Sequence, residues 1–246
     1  MGKRKNRNTD AYYQDQTRQK WTGWIVGAAK VVLWTIAYTL MASVPQLYVM
    51  FGSNLDNTWL TVLGILSIIY MLVVSYWFYR RYQKQNPENV VGLTWDDILK
   101  DLAIFAGVLA FKMIMSVIMS NMYGVETTVN DDMIFGLLGS NSNILVALNL
   151  GLTVITMAPV MEEIIFRGMI SKGMFKDSFF SAAIIISSVF FSSMHLSGNF
   201  ISFIIYAGIG AACYMAYWRK KNINDAIFIH FLNNLPGAIM IIFGLF

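Results

Sequence analysis

Ala158-Pro159-Val160-Met161-Glu162-Glu163-Ile164-Ile165-Phe166-Arg167-Gly168 closes an apolar run that begins at Ile144. Two adjacent carboxylates and a guanidinium thus follow directly on a stretch whose expected solvent is lipid. Ionisable groups in that setting are costly, and function is their default explanation. The plainer reading places Glu162 and Glu163 at a helix end in the membrane interface. Against it stand the only two histidines of the chain, His195 and His230, each inside a later hydrophobic segment. Outward from this stretch the composition sets the class. The chain is 57% hydrophobic and 13% charged, with a mean hydropathy of +0.54. Soluble domains carry about 25% charged residues. We therefore expect an all-α polytopic membrane protein, a bundle of about seven transmembrane helices within a range of six to eight, with its active site in the C-terminal four-helix part.

The expected spans are 31–51, 59–79, 102–121, 144–161, 178–195, 200–218 and 226–246. Trp21 and Trp24 serve as interfacial anchors before the first, and 21–30 as an interfacial segment. Lys and Arg cluster in the N-terminal tail, the 80–100 connection, 167–176 and 219–221, whereas 52–58, 122–143 and 196–199 contain neither. By the positive-inside rule the N-terminus is cytoplasmic. The organisation read from this is a basic tail and interfacial segment over 1–30, N-terminal membrane helices over 31–143, and a catalytic membrane core over 144–246. The net charge of +4 follows membrane topology and does not indicate nucleic acid. The expected partners are the lipid bilayer and a peptide or membrane-protein substrate. A single cysteine, Cys213, excludes an internal disulfide and a Cys-based zinc site. It follows a run of small residues suited to helix packing. Leu93-Thr94-Trp95-Asp96-Asp97 reads as an N-capped helix start. Lys30 reads as a snorkelling residue, and Lys112, deep in the third span, as either a partner for a polar group in the bundle or the mark of a shifted span boundary.

Three pieces carry chemistry. Residues four apart share a helix face, so Glu163 and Arg167 stack, while Glu162 points about 100° away. The economical assignment makes Glu163 the partner of Arg167 and Glu162 the working carboxylate, suited to general-base work. The second piece ends Phe191-Ser192-Ser193-Met194-His195. No Asp, Glu, Lys or Arg occurs from Ser178 to Trp218. Alone, His195 would be a packing residue. The third is His230-Phe231-Leu232-Asn233-Asn234, in which His230 and Asn234 share a face. Together they suit hydrolysis: a base, a histidine to share the water, and donors for an oxyanion. Two histidines and a carboxylate also make a zinc set, with Glu162, His195 and His230 as ligands; spacing leaves metal-free and metal-dependent chemistry both open. Pro159 and Pro236 lie close enough to these positions to kink or open their helices.

Glu162-Glu163-x-x-x-Arg167, Phe191-x-x-x-His195 and His230-x-x-x-Asn234, in that order on successive hydrophobic segments, resemble the three signature motifs of the CPBP intramembrane protease family. That family includes the type II CAAX prenyl endopeptidases and bacterial Abi or bacteriocin-processing proteins. The resemblance implies a peptidase whose Glu162 activates water with help from His195. It further implies that His230 and Asn234 form the oxyanion hole, and that Glu163 and Arg167 support the site. It implies a bacterial member acting at the cell membrane on a bacteriocin, signalling or export-related peptide, for which prenyl-protein cleavage is not the expected native reaction. The alternatives are a non-catalytic scaffold or bacteriocin self-immunity factor with the same fold, and an ion-coupled carrier, for which the expected hydropathy repeats are absent. One tension remains within these spans. Glu162 falls at the inner end of its helix, whereas His195 follows about 27 Å of helix from that same side. Tilted or broken helices, a later span start, or a helix continuing past Glu162 would each bring them level.

Overall fold

A computed structural model describes residues 3–138 and 143–244, with side chains from residue 22 onward. Side chains of the basic tail and of Trp21, and the last two residues of the seventh expected span, lie outside the described residues. Among those described there is no strand. The helices are α1 (Lys3–Phe51), α2 (Asn57–Gln85), α3 (Trp95–Tyr123), α4 (Val129–Gly136), α5 (Ile144–Met174), α6 (Phe180–Ser193), α7 (Phe200–Lys220) and α8 (Ile223–Phe243). Six of these are long and apolar enough to cross a membrane, and α6 is a shorter apolar helix. This is an all-α polytopic bundle.

Local signals explain the starts. Asp56 caps α2 by accepting from the backbone of Thr58 at 2.9 Å and Trp59 at 3.2 Å. Thr94 and Asp97 form a capping box on α3, and Asn199 with Ser202 forms one on α7. Each satisfies amide groups that a helix start leaves unpaired. The polar-to-apolar transition near residue 22 does not break α1, which together with the 3-10 turn that follows it supplies the membrane-length run Thr22–Asn54. The separate interfacial segment expected over 21–30 is instead part of one helix, with Lys30 exposed on it.

The fourth span departs most from expectation. The sequence reading ended it at Met161, but helix continues unbroken to Met174. Glu163 and Arg167 neutralise each other one turn apart, both fully buried, so the charges that interrupt the hydropathy do not interrupt the helix. This removes the depth conflict. Counted from the α5–α6 connection, Glu162 lies twelve residues back from Met174, the last eleven of them in a widened π form, and His195 fifteen beyond Phe180, and the two line one cavity. The acidic connection before α5, expected to be loop, contains α4. Thr128 caps it through the Asp131 amide at 3.2 Å.

The core runs along α5, where Met157, Met161, Ile164, Ile165, Phe166 and Ile170 are almost wholly enclosed. Helix α1 packs on the 164–174 stretch, and α6, α7 and α8 close the other sides. The small-residue stripe of α7 is used inside this bundle. A Cβ on Gly210 would stand 3.1 Å from the Ser188 Cα of α6, tighter than an ordinary contact, so glycine suits that approach. The outward faces of α1, α2 and α3 expose Leu33, Leu40, Val73, Met113 and Val117, as lipid contact requires. The basic connections meet at one end. Asn89 donates to the Lys221 carbonyl at 2.6 Å, and Lys172 donates to Asn89 at 2.5 Å.

Candidate active site

The site begins with a defect in α5. Thr153–Met157 is a widened π turn, in which the Ala158 amide bonds Thr153 O instead of Val154 O. The next residue, Pro159, has no N–H. Val154 O is therefore stripped of both helical donors, and Asn234 Nδ2 of α8 donates to it at 2.9 Å. This sets α8 against α5 at the level where Glu162 follows.

Glu162 is about nine-tenths buried. Its Oε1 accepts from Tyr38 of α1 at 2.7 Å, while Oε2 is buried without a partner among the described residues. Glu163 points into the core with no exposure. Its Oε1 accepts from Arg167 Nη1 at 2.9 Å and from His230 Nδ1 at 2.7 Å. Arg167 in turn donates through Nη2 to Gly210 O at 2.8 Å and lies over the Phe191 ring at 4.7 Å. A carboxylate, a guanidinium and an imidazole thus form one enclosed clamp joining α5, α7 and α8.

His195 sits just beyond α6. Its Nδ1 faces Phe191 O at 2.8 Å, so that nitrogen carries the hydrogen, leaving Nε2 with a lone pair in the neutral ring. Its ring stacks on Tyr206 at 4.5 Å with planes 19° apart. Tyr206 is held by Thr128 at 2.7 Å and donates to Asp131 at 3.1 Å. Helix α4 is the platform behind this stack. Phe191 lies between the two imidazoles, with centroids 4.4 Å from His195 and 5.5 Å from His230.

A cavity of about 620 Å³ collects Glu162, His195, His230 and Asn234, together with Tyr38 and Lys112. Glu163 and Arg167 stand behind its wall. His230 bonds Glu163 through Nδ1, a partnership the spacing of the motifs did not indicate. Tyr38, Tyr206 and Asp131 were not anticipated. Tyr38 lies 124 residues from the carboxylate it contacts, and no spacing rule reaches across that distance. Of the two readings of Lys112, the bundle partner holds: it donates to Asn233 Oδ1 at 3.0 Å.

A zinc held by Glu162, His195 and His230 needs three donors converging on one point. Among the described residues no three His, Cys, Asp or Glu side chains gather in that way. The expected ligand set is thus not assembled among the described residues.

Residues 144–236 match the family model for Rce1-like, type II CAAX prenyl endopeptidases. The match takes in Glu162, Glu163, Arg167, His195, His230 and Asn234. No curated protein and no solved structure matches the chain significantly.

Proposed function

With residues 144–236 matching the type II CAAX prenyl endopeptidases, which supports its place in the CPBP family, we propose that this multi-pass membrane protein is an intramembrane endopeptidase. Its substrate is a membrane-associated peptide or protein of the bacteriocin, signalling or export-related kind. The observation that carries the reading is Glu162, one oxygen tied to Tyr38 and the other buried, unpartnered and beside a cavity that His195 shares. Held at one oxygen, a carboxylate keeps the other for a water proton, and His195 Nε2 offers that water a second acceptor. The activated water adds to the substrate carbonyl. The oxyanion takes hydrogen bonds from Asn234 Nδ2 and His230, and the proton on Glu162 passes to the leaving amine. His230 Nε2 donates only when both ring nitrogens carry hydrogen, with Glu163 as counter-charge. Arg167 keeps that carboxylate fixed.

The reading also assigns the sides. The basic connections that meet at one end of the bundle face the cytoplasm, with the N-terminus on that side of a bacterial cell membrane. The test is Glu162→Gln and His195→Ala in detergent-purified protein, assayed on an internally quenched farnesylated peptide with a CAAX end. Loss of a general base costs on the order of 10²–10⁴ in rate. Folded variants that keep full activity would remove Glu162 and His195 from the chemistry proposed here.

A further inference from the structure

We propose that Lys112 is a positioning residue for the oxyanion donor Asn234, acting through a one-way relay of side-chain amides; this rests on the endopeptidase reading above. Lys112 sits far inside α3, half-buried, where an ammonium is costly without a role. Among the described residues no carboxylate lies within ion-pairing distance of it. Asp131 lines the same cavity but accepts from Tyr206. Lys112 instead spends its bond on an amide. Nζ donates to Asn233 Oδ1 at 3.0 Å, Asn233 Nδ2 donates to Asn234 Oδ1 at 3.0 Å, and Asn234 Nδ2 donates to Val154 O at 2.9 Å.

The polarity of this chain is fixed at both ends. An ammonium can only donate and a backbone carbonyl can only accept, so each asparagine amide has a single orientation that satisfies its neighbours. Asn233 must present oxygen to Lys112, hence nitrogen to Asn234. Asn234 must then present nitrogen to Val154 O. Of its two amide hydrogens, Val154 takes one, and the other is the donor for the cavity. Without Lys112, Asn233 is free to turn over and present oxygen to Asn234. Asn234 could follow only by placing its own oxygen against Val154 O and toward the developing negative charge. The head of the chain also carries a full positive charge, which polarises each successive donor where the dielectric is low. Lys112 thereby supports an oxyanion without touching one.

The test uses the purified full-length protein and the quenched farnesylated CAAX peptide, with Glu162→Gln as control. Lys112→Met should lower kcat roughly tenfold, a fraction of the 10²–10³ lost when an oxyanion donor itself is removed, with KM nearly unchanged. Lys112→Arg, also a donor-only cation, should restore much of kcat. In an Asn234→Ala background Lys112→Met should add no further loss. A raised KM at constant kcat would overturn the relay and make Lys112 a contact for a substrate anion. Additive losses would overturn it as well. Glu162→Gln with normal turnover counts against Glu162 as the base, and a wild type inert toward the peptide counts against cleavage of prenylated ends. The relay is then judged by the side-chain amide protons of Asn234 in asparagine-labelled protein, assigned by their loss in Asn234→Ala. An upfield move in Lys112→Met supports it, and an unmoved resonance overturns it.

Discussion

Arg167→Met tests whether the clamp behind the cavity wall holds the bundle together. The side chain is fully buried, and methionine fills much of its volume, so the change is mainly one of charge. It strips Glu163 of its 2.9 Å partner and Gly210 O of its 2.8 Å donor. Removing one member of a buried pair costs about 3–5 kcal/mol, because the remaining charge stays enclosed. Gly210 O lies mid-helix and keeps the amide four residues on, so the enclosed charge dominates and we expect a net loss of about 4 kcal/mol. Against a typical stability of about 5–15 kcal/mol this is a large share. Denaturant titration in mixed micelles, followed by tryptophan fluorescence, reads the loss directly. Glu163→Gln should soften it. The amide keeps an oxygen for His230 Nδ1 but brings no charge, so the double variant should be more stable than Arg167→Met alone. Additive losses, or a single-variant loss below about 1 kcal/mol as for exposed pairs, would refute the clamp.

Tyr38→Phe removes the bond that holds Glu162 from α1; a charge-assisted hydrogen bond of about 1.5–3 kcal/mol predicts kcat lower by roughly tenfold or more at similar KM, and an unchanged kcat would show that Tyr38 does not position the base. Gly210→Ala brings a methyl to 3.1 Å from Ser188 Cα, so α6 must give by a few tenths of an ångström. Overpacking of this kind costs about 1–3 kcal/mol, measurable in the same titration. Partial burial lowers the Lys221 ammonium to about 8. The unfolded chain therefore binds the proton more tightly above that pH, and the folded state gains stability as pH rises through it. Lys221→Met should exceed wild type in stability at neutral pH, by a margin that shrinks toward pH 10; a margin independent of pH would contradict the buried ammonium.

Local chemistry was legible in the sequence where it depended on neighbours along the chain. Thr94 and Asp97 announce the start of α3, and the four-residue spacing of Glu163 and Arg167 announces their pairing. The order of the three motifs points to the same segment that the family model matches. What the sequence hid depends on partners distant along the chain. Tyr38 reads as one more aromatic in a membrane span. His230 gives no sign that it bonds Glu163 and not Glu162. The end of the fourth span was misplaced because hydropathy counts Glu163 and Arg167 as two charges, whereas the fold counts them as one neutral pair. Helix α4 was hidden in a polar connection too short to show a period.

The widened turn at Thr153–Met157 carries a consequence for how such chains diverge. A π turn holds one residue more than an α turn, so it behaves as an insertion that the helix has absorbed. Every face downstream is rotated by about 100° relative to an uninterrupted helix. Delete one residue there and hydropathy, span count and all three motifs survive intact. Yet Glu162 would swing off the cavity, and the groups meant to meet it would face apolar side chains. Reading frame along the helix axis is thus a determinant of the site in its own right, and a family search blind to single-residue length changes upstream of Pro159 would count the broken chain as whole.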